Sequence, residues 1–141
     1  MTSAYLLLIC TIVIGNAFVF PDGVYRSQPG GHNWIDMVCE FSRADKSVDI
    51  NIRCNPNASY FGGLFYVYEL EGYPKVEIYH SSLYDIPYRA MLWEYNEHCG
   101  PVKASALRDD LAVFGYFTDT LGLMTTIDDL AVPLHPQYFG E

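Results

Sequence analysis

The chain has 141 residues, with 17 Asp and Glu against 8 Lys and Arg, for a formal net charge of −9. That balance excludes a nucleic-acid binder, which needs a lysine and arginine footprint to displace counterions, and it disfavours anionic membrane surfaces. The acidic residues are scattered, with short pairs at Asp109-Asp110 and Asp128-Asp129, and they read as a solvated surface.

The first seventeen residues, MTSAYLLLICTIVIGNA, read as a secretory signal peptide. The apolar run from Leu6 to Gly15 suits a signal core and is too short for a membrane span, which needs about twenty residues. Gly15 and Ala17 supply small residues three and one before a cut after Ala17, although the leader has no Lys or Arg. No later run approaches membrane-spanning length. The expectation is a secreted, extracellular protein with one domain over residues 18–141 and no membrane span.

Residues 22–27, DGVYRS, read as a short first strand, followed by a loop that Pro29, Gly30 and Gly31 keep irregular. Alternation then becomes clear: Ile35, Met37, Cys39 and Phe41 share one face, and Val48, Ile50, Ile52 and Cys54 share another across the polar turn SRADKS. Strands are predicted over 63–70, 75–80 and, from RAMLWEY, 89–95. ASALRDD (104–110) suits one helical turn. LAVFGYF and TLGLMTTI then flank Thr118-Asp119 as a tight hairpin. The pattern shows no long 3.6-residue apolar period. Seven or eight short strands in this order predict an all-β antiparallel meander closing into a barrel, with a β-sandwich as the alternative.

Cys10 leaves with the leader, so Cys39, Cys54 and Cys99 allow one disulfide and one free thiol available for an intermolecular bond. If Phe41 pairs with Val48, Cys39 faces Ile50. Cys54 then lies about four residues out of register with Cys39, beyond the reach of a disulfide without a bulge. The expected pair is Cys54 with Cys99, both at strand ends. Asn57-Ala58-Ser59, in a turn-rich stretch, is an N-glycosylation sequon.

No catalytic residue, metal ligand set or cofactor motif emerges. Glu94, Glu97, His98 and Cys99 cluster in sequence, but without zinc-type spacing, and there is no G-x-S-x-G elbow. An enzyme would need Glu69 or Glu77 to meet His80 or His98. The aromatics are more informative: 12 Tyr, 8 Phe and 2 Trp, many on predicted strands. Tyrosine, with its apolar body and polar tip, suits cavity walls and interfaces. In GGLFYVYELEG (62–72) only the face of Phe65, Val67 and Glu69 carries a charge, so Leu64, Tyr66, Tyr68 and Leu70 are expected to point inward. Tyr66, Tyr68, Trp93 and Phe114 are the expected walls of a cavity for a small hydrophobic or amphipathic ligand. The alternative is a tyrosine face that docks a secreted or cell-surface protein.

Two short stretches give the chain a partial resemblance to the lipocalins, or more broadly the calycins. Gly23-Val24-Tyr25 resembles the Gly-x-Trp that opens the family's first strand, and Thr118-Asp119-Thr120 resembles its Thr-Asp-Tyr between two late strands. Each departs from the family pattern at its aromatic. The residues after Thr120 are too few for the family's terminal strand, long helix and basic closing motif together, and no arginine follows Arg108. The resemblance implies a secreted β-barrel that binds a small ligand.

Overall fold

The computed structural model describes residues 19–29, 34–70, 74–79, 86–99, 111–116, 122–127 and 130–137. The expected leader (1–17), the helical turn at 104–110, His80 and the Thr118-Asp119 hairpin lie outside the described residues. Eight antiparallel strands follow one another around a closed barrel. They are β1 (Gly23–Arg26), β2 (Asp36–Ser42), β3 (Ser47–Arg53), β4 (Phe61–Glu69), β5 (Lys75–Ile78), β6 (Val113–Tyr116), β7 (Leu123–Ile127) and β8 (Leu130–Pro136). One helix, α1 (Ile86–Cys99), lies between β5 and β6. The sandwich alternative is thereby excluded, because β8 pairs back onto β1 at Tyr25–Pro136 and Arg26–His135.

The β2–β3 hairpin has the predicted register, with Phe41 opposite Val48 and Cys39 opposite Ile50. Alternation drives it: Met37, Cys39, Phe41, Val48, Ile50 and Ile52 all bury their side chains inside the barrel. β4 crosses β3 very closely at its start. A Cβ on Gly62 would overlap the carbonyl oxygen of Ile50, so only glycine fits there. Before β1, Phe20 is buried under the β2–β3 turn. Lys46 Nζ stands 4.3 Å from its ring centroid, and Arg43 Nε donates to its carbonyl at 2.9 Å.

Three expectations change. RAMLWEY is helix rather than strand. Tyr88, Met91, Leu92 and Tyr95 form its buried stripe at i, i+3, i+4 and i+7, while Ile86 and Trp93 are exposed. Apolar residues on both sides of the helix hide the period. The strand that completes the barrel is instead LAVPLHP, the stretch left unassigned by pattern. Pro133 is tolerated there for a reason visible in the ladder. Gln137 donates its N–H to Val24 across the β1 side, so backbone groups of odd-numbered β8 residues face β1. β1 has ended by that level, and the donor missing from Pro133 breaks no ladder bond. Finally, Cys39 is fully buried, and burial, with Asp49 adding to it, pushes its thiol pKa far up. It is not available for an intermolecular disulfide.

The interior is filled by side chains. Phe41 on β2 meets Phe114 on β6 with ring centroids 5.3 Å apart, and Tyr25 on β1 stands 5.6 Å from Phe41. β2 and β6 are opposite walls of an eight-stranded ring, so these rings occupy the middle of the lumen.

Candidate functional site

The expected disulfide is formed: Cys54, just after β3, is bonded to Cys99, the last residue of α1, with Cα atoms 5.4 Å apart. It holds α1 against the end of the barrel where β3 finishes and β4 begins. Phe65 of β4 meets Tyr88 edge-on at 6.1 Å, and Phe61 meets the His98 ring at 5.9 Å. Between this helix and the β3–β4 loop opens a cleft of about 530 Å³. Arg53, Tyr60 and Phe61 line it from the sheet side, Glu94 and His98 from α1.

One wall of the cleft is anchored by an ionic cluster. Asp36, only 1% exposed, receives Arg26 Nε and Nη2 at 3.0 Å each, Arg53 Nε at 2.9 Å and the Tyr60 hydroxyl at 2.6 Å. Burial alone would raise the Asp36 carboxyl pKa. The hydrogen bonds from Arg26, Tyr60 and Arg53, with the charge of Arg26, outweigh it and hold the carboxyl below its usual range. Burial and the bond to Asp36 push the Tyr60 phenol up. Arg53 also donates Nη1 to the Pro56 carbonyl at 3.1 Å and sits 4.6 Å from the Tyr60 ring centroid. The loop is tied down too: Asn55 accepts the Asn57 N–H on its side chain at 2.9 Å and the Ala58 N–H on its carbonyl at 3.0 Å.

The expected wall residues do not converge. Phe114 lies in the lumen, packed on Phe41. Tyr66 is 59% exposed on the outer barrel face, beside Leu64 at 61%. Tyr68 shares that outer face, where its hydroxyl donates to Glu77 at 2.8 Å and its ring stands 5.2 Å from Tyr79. Trp93, 63% exposed, is on the solvent side of α1. The inward residues of β4 are Phe65 and Val67, opposite to the expectation. Glu69 misleads because it stands at the strand end, where Lys46 meets it at 3.4 Å, beyond the part of the face that is buried. The β3–β4 register shows the true face. Val48 points inward, and its partner Phe65 must do the same.

Among the described residues, Glu69 meets Lys46, Glu77 meets Tyr68 and His98 meets Phe61, so His98 joins neither expected carboxylate; His80 lies outside the described residues. Among the described residues, no group of three or more His, Cys, Asp or Glu is placed to hold a metal ion. No described helix is long and apolar enough to cross a membrane. Arg53, Tyr60 and Phe61 are not marked as a site by pattern, and Glu94 and His98 stand out in sequence only as part of a cluster without zinc-type spacing. The disulfide was the available signal: joining Cys54 to Cys99 brings residues 53–55 beside the end of α1.

Fold and site together define an up-and-down eight-stranded barrel with a filled interior and a cleft at its disulfide-bonded rim. Comparison with protein-family models, curated proteins and solved structures finds no match.

Proposed function

We propose that the chain is exported after loss of residues 1–17 and binds a small amphipathic molecule in the cleft between the β3–β4 loop and α1. The cleft itself carries the reading: about 530 Å³ falls within the range of small-molecule sites, and its lining mixes aromatic rings with a few charged groups. The filled lumen favours the rim over the interior as the place for a ligand. A disulfide supports an oxidising compartment, and an eight-stranded barrel that opens on Gly23-Val24-Tyr25 supports a lipocalin-like carrier. Isothermal titration against a panel of fatty acids, retinoids, sterols and aromatic amphiphiles tests this. At least one compound binds saturably, and Ala58→Trp, which fills the cleft from an exposed turn, abolishes binding without lowering the thermal midpoint. Full affinity in Ala58→Trp, or no binding by any compound, sinks the reading.

Asn57 belongs to the same proposal. Its turn is exposed and Ala58 and Ser59 face the cleft, so a glycan there stands at the rim of the site. Protein secreted from a eukaryotic host shows a mobility shift on endoglycosidase treatment. Asn57→Gln removes that shift, and a wild-type chain of unmodified mass would refute the assignment.

A further inference from the structure

We infer that the cleft selects zwitterions, small molecules that carry both an amine and a carboxylate on an aromatic or apolar body. This rests on the cleft being the binding site, and it names the chemistry of what enters. The two walls present opposite charges that do not neutralise each other. Arg53 lines the sheet side and Glu94 the helix side, and no ion pair joins them. Among the described residues the Glu94 side chain takes part in neither a hydrogen bond nor an ion pair.

Arg53 is charged but not free to turn. Asp36, the Pro56 carbonyl and the Tyr60 ring fix it, while its Nη2 has no acceptor among the described residues. Moreover, Arg26 and Arg53 share the single carboxylate of Asp36, which leaves one excess positive charge on this wall. A ligand carboxylate placed there neutralises that excess, and a ligand ammonium neutralises Glu94. The Phe61 and His98 rings supply an apolar surface for the body. A ligand with one charge satisfies one wall and leaves the other unpaired or repelled, so the arrangement discriminates against it.

Titration calorimetry of the full exported chain with three compounds sharing one ring tests this: L-phenylalanine, 2-phenylethylamine and 3-phenylpropionate. The zwitterion binds about tenfold or more tightly than either single-charge analogue, the difference one charge-assisted hydrogen bond supplies. Glu94→Gln weakens L-phenylalanine by a similar factor and strengthens 3-phenylpropionate, because the repulsion is gone. The inference is overturned if either analogue matches the zwitterion, or if Glu94→Gln changes neither affinity. It is also overturned if none of the three binds while another amphiphile does so in an Ala58→Trp-sensitive way; the cleft reading then stands. If no amphiphile binds at all, both fall.

Discussion

Asp36 illustrates how one side chain couples stability to the site. It is a buried carboxylate opposed by two guanidinium groups and a phenol, and those partners also hold Arg53 and Tyr60 at the cleft. Asp36→Asn leaves both arginines under-compensated. Breaking such a cluster costs several kcal/mol when fully buried, and the partly exposed arginines reduce this to about 2 kcal/mol at pH 7. The pH dependence follows from the lowered carboxyl pKa. The ionised form is favoured by folding, so its contribution is complete above the unfolded value of about 3.9 and is lost as pH falls through the folded one. Urea unfolding of both proteins at pH 7 and pH 3 should show the gap between them shrinking on acidification. A gap of equal size at both pH values would mean that Asp36 is not held ionised by the arginines.

At the scale of elements, α1 decides whether a cleft exists. It is short, its amphipathic stripe is blurred by Ile86 and Trp93, and an isolated helix of 14 residues is marginal in water. Its position comes from Tyr88, Met91, Leu92 and Tyr95 joining the barrel core and from the disulfide at its last residue. The Cys54–Cys99 bond closes a loop of 45 residues, for which loss of the cross-link costs about 2–4 kcal/mol. Replacing both cysteines by serine should lower stability by that amount and abolish cleft binding, while far-ultraviolet circular dichroism retains the barrel signal. Binding that survives the double replacement would show that the helix is held by packing alone. The β2–β3 hairpin was legible residue by residue because its polar and apolar positions alternate cleanly. α1 was not, because its pattern fits neither period well.

For the whole molecule, closure by β8 is the decisive event. It leaves Cys39 sealed among Met37, Phe41 and Ile50, so its thiol reports on the opening of the entire barrel. Iodoacetamide should fail to modify Cys39 in the native protein, and labelling should follow the same denaturant midpoint as tryptophan fluorescence. Labelling well before that midpoint would reveal opening of one seam ahead of the rest. The seam between β1 and β8 is the place to look, since a cleft of about 240 Å³ lies beside it and, among the described residues, two ladder pairs and the Gln137–Val24 bond close it.

The all-β class, the hairpin register and the disulfide pair could be read from residue types and spacing, because each depends on contacts close in sequence or on a small choice of partners. The outward direction of Tyr66 and Tyr68, the helical state of 86–99 and the role of LAVPLHP as the closing strand were decided by tertiary structure. In each case the deciding partner is distant: Val48 orients Phe65, the barrel core selects one side of α1, and β1 supplies the edge that β8 completes. The candidate site belongs with these. Arg53 and Glu94 lie more than forty residues apart in sequence, and only the Cys54–Cys99 bond and the packing of α1 bring their opposite charges to one cleft.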